Sequence, residues 1–286
     1  MVAMVLDGAE AAREVYAGLK ARVAELQRKS LRPGLAAVLV GDNAASKIYI
    51  RNKTKACAAA GIHSEVHELP AATSDKELVA TLTRLNDDPE VHGILVQLPL
   101  PAHLDETLVA RTVIARKDVD GLTWQNLGAL MAGHPRFEPC TPRGVMALLD
   151  RAGMSVAGLQ AVVVGRSTIV GKPMALMLTA RNATVTVCHS RTADLETHTR
   201  RADILVAATG RAGLITADMV KPGAAVIDVG INRSGGKIVG DVDFTAVKEV
   251  AGWISPVPGG VGPMTIAMVI ANTVQAAELF AADPER

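Results

Sequence analysis

The chain has 286 residues, of which 49% are hydrophobic and 21% are charged, and its formal net charge is +1. This composition is that of an ordinary globular protein, so it excludes a disordered or fibrous chain. A charge so close to zero gives no electrostatic argument for binding nucleic acid or an anionic membrane surface.

Helical and strand patterns alternate along the first half of the chain. They predict, in chain order, helix 8–30, strand 35–40, helix 44–60, strand 62–69, helix 74–85, strand 91–97, helix 105–114 and helix 141–153. Gly61 suits the position just past a helix end, and Ser74 with Glu77 forms a capping-box pattern. Thr141 followed by Pro142 predicts a helix start, with the threonine as its cap.

The alternation resumes in the second half. It predicts strands at 161–164, 183–188, 203–208 and 225–229, helices between the early ones, and a last helix from Pro263 to about residue 280. Repeated alternation of this kind is typical of mainly parallel sheets covered by helices on both faces. With the length prior of about 150 residues per domain, it predicts two α/β domains.

The stretch from Ala161 to Pro173, AVVVGRSTIVGKP, is the most informative motif of the chain. An apolar strand runs into Gly165, then Arg166 and Ser167 follow, and Pro173 falls in the first turn of a helix. Such a turn directs backbone N–H groups and the positive end of a helix to one point, where a phosphate can bind. The motif differs from the three-glycine fingerprint, yet it predicts that the second domain is Rossmann-like.

The next strand of such a domain ends near Cys188, and His189, Ser190 and Arg191 follow. An NAD-specific site would place an acidic residue there to hold the ribose hydroxyl. Arg191 together with Arg166 favours a 2′-phosphate instead, because arginine forms short charge-assisted bonds to phosphate oxygens. We therefore predict NADP as the cofactor. The alternative is a solvated turn with a chance arginine.

Two further strand ends carry glycines at the same predicted rim, namely Ala208 to Gly210 and Asp228 to Asn232. Ligands in open α/β sheets bind at the carboxyl ends of the strands. Ile231 is therefore a candidate cofactor contact, although each segment also suits a plain turn.

A second group of candidate residues lies in the first domain. Tyr49 and Lys53 are four residues apart in a predicted helix and so share a face. Small apolar neighbours would desolvate the lysine and disfavour its ammonium form, so that it can accept a proton near neutral pH. Gln97 ends an apolar strand, and its amide can accept from a lysine while donating to a substrate. Asp120, in KDVDG, can accept paired N–H groups from a heterocyclic ring, or it can shape a turn.

The segment from Pro256 to Thr265, PVPGGVGPMT, is predicted to be a rigid loop. Its glycines suit either a structural hinge or backbone N–H groups that face a ligand. A metal site is not predicted, because His63 and His67 fall in a strand, where that spacing separates them, and no Cys/His set has zinc spacing.

The absence of a basic region followed by an apolar stretch at the start predicts no signal peptide. No uncharged apolar run approaching ~20 residues is recognised, so no membrane span is expected. Cys57, Cys140 and Cys188 are far apart and odd in number, which favours buried free thiols. Together these features predict a cytoplasmic protein.

Six motifs in this order resemble one enzyme family. They are YxxxK at 49–53, QLPLP at 97–101, KDVDG at 117–121, PCTP at 139–142, VVGRSxIVGKP at 163–173 and PVPGGVGPMT at 256–265. Over essentially its whole length, the chain resembles the bifunctional methylenetetrahydrofolate dehydrogenase/methenyltetrahydrofolate cyclohydrolase family. The segment after Gly41 departs from the family pattern, since a proline often precedes the Ala-Ser pair there.

The resemblance implies that 5,10-methylenetetrahydrofolate is oxidised with NADP to the 5,10-methenyl compound, which is then hydrolysed to 10-formyltetrahydrofolate. It implies that Lys53 is the catalytic lysine, Gln97 positions it, Tyr49 stacks on the folate and Asp120 holds the pterin. It also implies one-carbon metabolism that serves purine biosynthesis, and a homodimer.

The resemblance also implies two sets of binding residues. Those for the cofactor are Gly165, Arg166, Ser167 and Ser190, and the sequence itself adds Ile231 and Arg191, the latter a departure from the family pattern. Those for the substrate are Tyr49, Gln97, Leu98, Asp120, Pro258, Gly259 and Gly260. The folate domain is expected at 1–138, with a C-terminal helix at 267–286 packing back on it, and the NADP domain at 139–266, with a cleft between them.

Two rival functions fit part of the sequence. One is a two-domain dehydrogenase of a small hydroxy acid or a shikimate-like substrate, which leaves Gln97 and KDVDG unexplained. The other is an NADP-sensing regulatory protein, which would have no use for Tyr49, Lys53 and Gln97.

Overall fold

The computed structural model describes residues 2–283 of the chain. Its helices and strands, in chain order, are β1 (Met4–Val5), α1 (Gly8–Arg28), β2 (Gly34–Val40), α2 (Ala44–Ala59), β3 (His63–Leu69), α3 (Asp75–Asp87), β4 (Gly93–Val96), α4 (Thr107–Thr112), α5 (Trp124–Met131), α6 (Cys140–Arg151), β5 (Gln160–Val164), α7 (Gly171–Ala180), β6 (Thr184–Cys188), α8 (Leu195–Thr199), β7 (Ile204–Ala207), β8 (Ala225–Asp228), β9 (Asn232–Ser234), β10 (Lys237–Val239), α9 (Phe244–Val247), β11 (Trp253–Ile254) and α10 (Val261–Ala282).

The chain forms two compact units. The three-stranded unit comprises Glu14–Cys140 and Ile266–Arg286, and the six-stranded unit comprises Met1–Arg13 and Thr141–Thr265. The sequence placed residues 1–13 in the first domain, but here they belong to the six-stranded unit, because β1 pairs with β11. Residue 1 and residues 284–286 of the predicted domain and helix lie outside the described residues.

The sheet of the three-stranded unit has the order β3-β2-β4, and both pairings are parallel. Every residue of β2 is buried, as expected for the central strand of a parallel sheet. α3 begins at the predicted capping box, in which the Ser74 and Glu77 side chains each bond the other's backbone N–H. Gly61 has a φ of +76° past the end of α2, so both helix-end predictions are confirmed.

The sheet of the six-stranded unit has the order β1-β11-β8-β7-β5-β6. All its pairings are parallel. β6 lies on one side of β5 and β7 on the other, so the direction of winding reverses between the carboxyl ends of β5 and β7. Ligands of such sheets bind at this reversal. The prediction of two α/β domains with mainly parallel sheets is confirmed.

Three details differ from the sequence prediction. α6 begins at Cys140, so Thr141 lies inside the helix and its hydroxyl contacts that of Thr265 at 3.1 Å. α10 begins at Val261, which places Pro263 within the first turn, where a missing N–H costs nothing. β9 and β10 form an antiparallel hairpin that was not predicted.

The expectation that no apolar run is long enough to cross a membrane is wrong. By length and composition α10 is such a segment, although 61% of its most apolar window is buried inside the protein. A buried core helix passes the same test.

Candidate active site and cofactor site

Helix α2 positions the candidate lysine. Its start is fixed by Asn43, whose side chain accepts hydrogen bonds from the backbone N–H groups of Ala45 and Ser46. The inward face of the helix includes Lys53 and Cys57, and only 8% of Lys53 is exposed. A lysine is rarely so buried without a specific partner.

That partner is Gln97, which follows the last residue of β4. Lys53 Nζ donates a 3.0 Å hydrogen bond to Gln97 Oε1. Gln97 Nε2 donates at 2.8 Å to the carbonyl of Leu98, which fixes the amide so that its oxygen faces the lysine. The predicted hydrogen bond from a lysine to Gln97 is present, whereas the amide N–H that was predicted to donate to a substrate bonds the Leu98 carbonyl here.

Burial sets the protonation of this site. It lowers the pKa of Lys53, and the nearby Asp120 carboxylate acts in the opposite direction. Burial likewise raises the pKa of Asp120, against the effect of the Lys53 charge. For each group, burial therefore favours the neutral form. Tyr49, one turn before the lysine, is half-buried, and burial raises the pKa of its hydroxyl.

The two aspartates of KDVDG have different tasks. Asp118 is buried and accepts hydrogen bonds from the backbone N–H groups of residues 121, 122 and 123 and from the amide of Asn126. It is the residue that shapes the turn. Asp120 is thereby left for the site beside Lys53, and part of its surface remains accessible.

Cys140 and Asn272 support Asp120, and neither was predicted to do so. The Cys140 thiol donates to the carbonyl of Val119 at 3.1 Å and is hydrogen-bonded to the Asp120 carboxyl. Asn272 donates to the same Val119 carbonyl at 2.8 Å. In the sequence, Cys140 could have been found from the PCTP motif. Asn272 could have been found as a polar residue within an otherwise apolar helical segment.

The glycine turn in the six-stranded unit has the predicted form. Gly165 has a φ of +129°, and a Cβ on it would lie 2.1 Å from the carbonyl oxygen of Ala208. A Cβ on Gly171 would lie 2.2 Å from the carbonyl oxygen of Gly165. The glycines thus allow the turn to pass close to the end of β7, where the winding reverses. Ser167 Oγ accepts from the N–H groups of residues 170 and 171, so this hydroxyl also holds the start of α7.

Arg166 and Arg191 follow two adjacent parallel strands, β5 and β6. Both side chains are exposed, as is Ser190. Within residues 2–283 neither arginine has an ion-pair partner. Since the carboxyl ends of adjacent parallel strands lie at one edge of the sheet, two uncompensated positive charges are available there for an anionic group.

Two buried carboxylates fix the loops that follow β7 and β8 at this edge of the sheet. Asp228 accepts from the backbone N–H groups of Gly230, Asp241 and Val242. Asp241 accepts from the N–H groups of residues 209 and 210 and from the Asn232 amide. Burial raises the pKa of Asp228 to about 6, against the effect of those N–H donors. Ile231 is 49% exposed at this edge.

The glycine-rich loop is tied to the start of α1. The carbonyl of Gly259 accepts from the N–H groups of Gly8 and Ala9. The N–H of Gly260 donates to Pro256 at 2.8 Å, so this N–H serves the loop itself. Pro258 is exposed and Gly259 is half-buried.

The described residues contain no group of three or more His, Cys, Asp or Glu side chains that could hold a metal ion. His63 and His67 lie on β3, and both contact Glu65.

Comparison with known proteins gives consistent matches. Residues 6–120 match the family model of the tetrahydrofolate dehydrogenase/cyclohydrolase catalytic domain. Residues 139–281 match the model of the tetrahydrofolate dehydrogenase/cyclohydrolase NAD(P)-binding domain. The chain is 58% identical to the bifunctional protein FolD of Moorella thermoacetica, over 97% of this chain and 99% of that protein.

Two solved structures extend the likeness to the fold. The bifunctional methylenetetrahydrofolate dehydrogenase/cyclohydrolase FolD of Campylobacter jejuni superposes with a TM-score of 0.95 at 48% identity, covering 96% of this chain and 99% of that one. The Trypanosoma brucei enzyme, complexed with NADP and an inhibitor, gives a TM-score of 0.94 at 39% identity, covering 98% and 99%.

Proposed function

The chain belongs to the tetrahydrofolate dehydrogenase/cyclohydrolase family, and on that premise we propose how its residues divide the two reactions. The first reaction oxidises 5,10-methylenetetrahydrofolate to the 5,10-methenyl compound, and the second adds water to give 10-formyltetrahydrofolate. The three-stranded unit carries the folate chemistry and the six-stranded unit binds the cofactor. The rival functions, a hydroxy-acid dehydrogenase and a regulatory protein, do not account for matches over both halves of the chain.

The six-stranded unit selects NADP through Arg166, Ser190 and Arg191. Their exposed side chains follow adjacent strands, and neither arginine forms an ion pair within residues 2–283. The relative from Trypanosoma brucei was solved with NADP, which supports the same choice here. Gly165 and Ser167 bring the backbone of the turn close to the phosphates, and Ile231 lines the edge. When bound, NADP supplies the hydride acceptor of the first reaction.

Lys53 acts in the second reaction. Water attacks the methenyl carbon, and its proton passes to the neutral amine of Lys53. The hydroxyl of the adduct then loses its proton as the bond from that carbon to N5 breaks and N5 takes up a proton, and the carbon remains on N10 as a formyl group, with one proton released overall. The observation that carries this proposal is the buried Lys53 amine held by Gln97 at 3.0 Å.

Asp120, Tyr49 and Leu98 bind the folate in this proposal. An accessible carboxyl beside Lys53 suits the paired N–H groups of the pterin's amino end, and a half-buried tyrosine offers a ring face for stacking. Pro258, Gly259 and Gly260 complete the set of substrate contacts. The predicted cleft stays a prediction.

A coupled assay tests the function. Purified protein is incubated with 5,10-methylenetetrahydrofolate and NADP⁺, while NADPH absorbance and 10-formyltetrahydrofolate are followed separately. Both products are expected. NADPH without the formyl product would limit the enzyme to the first reaction, and no NADPH would contradict the assignment.

We also propose a cytoplasmic homodimer that serves one-carbon metabolism and purine biosynthesis. Cys57, Cys140 and Cys188 are buried thiols that form no disulfide, which suits a reducing compartment. The hairpin of β9 and β10 pairs only with itself among the described strands, and it exposes Ile238. A lone two-stranded ribbon is marginally stable in water, so a second copy is a suitable partner for it.

A further inference from the structure

A cavity with a volume of about 560 Å³ lies in the three-stranded unit, away from Lys53. It is bounded by the start of β4, the segment before Asp118, the segment after α5 and the last turns of α10. Its apolar wall is made by Val91, Pro135, Ala276, Leu279 and Phe280. This volume lies in the range of sites that take small organic ligands.

Most of the charged side chains that line this cavity are cationic, and we refer to it as the basic cavity. Arg116, Lys117 and Arg136 contribute cationic side chains, and Asp283 is the one carboxylate among the lining residues that the structure describes. Asp283 already has an interaction of its own. Across residues 2–283, Arg116 and Arg136 form no ion pair. Lys117 is held in place by hydrogen bonds to the carbonyls of Leu85 and Asp88.

The histidine at the cavity wall is incompletely satisfied. His92 Nδ1 accepts a hydrogen bond from the N–H of Gly34 at 3.1 Å, and the ring packs edge-on against Phe280. His92 Nε2 is buried and has no hydrogen-bond partner within the described part of the chain. Burial, and then the charge of Lys117, lower the pKa of this ring to about 4. A buried polar atom left unpaired is unusual in a folded protein.

This cavity is separate from the Lys53 site. His92 immediately precedes β4, whereas Gln97 immediately follows it. At about 3.3 Å per residue, five steps of extended chain separate the two by roughly 17 Å. The cavity therefore opens at the amino end of the sheet, opposite the candidate active site.

We infer that the basic cavity binds an organic anion, with a phosphate or carboxylate group held by Arg116 and Arg136 and an apolar ring against Phe280 and Leu279. Arginine pairs with both kinds of anion. The apolar wall and the volume favour a ring-bearing ligand over a bare inorganic ion. This inference does not rest on the proposed function.

Three probes that share one ring test the inference. Binding of 1-naphthyl phosphate, 1-naphthoate and 1-naphthol to the full chain is measured by calorimetry, with NADP⁺ and tetrahydrofolate present to saturate the proposed cofactor and folate sites. The phosphate dianion is expected to bind tightest and the neutral naphthol weakest. In the Arg116→Ala/Arg136→Ala variant, phosphate binding falls by roughly tenfold or more, because two charge-assisted contacts are lost. The relative affinities of phosphate and carboxylate identify the preferred group.

The matched control is Arg13→Ala/Arg84→Ala, which removes two exposed arginines that do not line the cavity. It is expected to bind the phosphate probe like wild type. Equal affinity for all three probes, or equal loss in both double variants, overturns the inference. If the cavity variant does not fold, a salt series on wild type decides, since affinity that does not weaken with ionic strength also overturns it.

Discussion

Lys53 and Gln97 are 44 residues apart in the chain, yet their side chains meet in a 3.0 Å hydrogen bond. One comes from the buried face of α2 and the other from the residue after β4. The pair fixes a lysine amine where burial favours its neutral form, and this makes the three-stranded unit a candidate centre for hydrolysis.

Removing the amine should abolish hydrolysis. Lys53→Met keeps the length and apolar stem of the side chain but removes the proton acceptor. We expect hydrolysis of 5,10-methenyltetrahydrofolate to fall by about 100-fold or more, the usual contribution of a general base. The measurement is the loss of the methenyl absorbance over time. Lys47→Met is the control, because Lys47 is exposed on the same helix and forms a salt bridge with Asp42. Wild-type hydrolysis by Lys53→Met would show that another group accepts the proton.

Changing the partner should retune the lysine. In Gln97→Glu a carboxylate would face Lys53 Nζ and favour the ammonium form, so the pKa of the lysine would rise. The neutral amine would then form only at higher pH, and we expect the pH profile of hydrolysis to shift upward by about one unit or more. Gln97→Met, without a charge, should lower the rate with no upward shift. A profile for Gln97→Glu that matches wild type would exclude direct tuning by residue 97.

The sequence predicted the local parts of this site better than its long-range contacts. Helix periodicity pointed to Lys53 and a strand end pointed to Gln97, whereas Asp120 was singled out by the KDVDG motif, which left open which aspartate shapes the turn. The bond between Asn272 and Cys140 joins residues 132 apart, and no local pattern reports such a contact. The hairpin of β9 and β10 had a usable signal, the Gly-Gly pair at 235–236, which is typical of tight turns.

Cofactor choice should depend on Arg191. Arg191→Glu replaces a donor to phosphate with a repelling charge, so we expect NADP⁺ to bind about 10- to 100-fold more weakly, consistent with the loss of a charge-assisted contact. NAD⁺, which lacks the 2′-phosphate, should be affected much less. Fluorescence titration of both cofactors measures the ratio. Arg201→Glu, at an exposed residue after α8, controls for net charge; an equal loss for NADP⁺ and NAD⁺ would remove the role given to Arg191.

The glycine turn should not tolerate a methyl group. In Gly165→Ala the new Cβ would lie 2.1 Å from the carbonyl oxygen of Ala208, at a φ of +129°. We expect a loss of unfolding free energy of about 2 kcal/mol or more, together with loss of NADP⁺ binding. Gly262→Ala is the control, since a Cβ there meets nothing within 4 Å. Denaturant titration compares the two, and equal stability would show that the turn adapts.

Asp228 should make the stability depend on pH. Burial raises its pKa in the folded protein to about 6 from the ordinary 3.8, so the folded state retains the proton to higher pH than the unfolded state does. Its stabilising contribution is therefore complete below pH 3.8 and is lost as pH rises through about 6. Relative to Asp228→Asn, the unfolding free energy of wild type should fall by at most about 3 kcal/mol across this window.

Denaturant titrations of both proteins at several pH values check this difference. Asp194→Asn, which changes an exposed aspartate in the same unit, should show no such trend against wild type. A wild-type stability that rises relative to Asp228→Asn over the same window would reverse the sign and contradict the role of burial.

Measuring the pKa of Lys53 tests the proposed role of this lysine most directly. NMR titration of the Lys53 side chain in the intact protein, assigned by comparison with Lys53→Met, gives the pKa of the amine. We predict a value below the ordinary 10.5, with hydrolysis increasing through the same pH range. An amine that stays charged up to that ordinary value, while hydrolysis proceeds at full rate well below it, would contradict proton acceptance by Lys53.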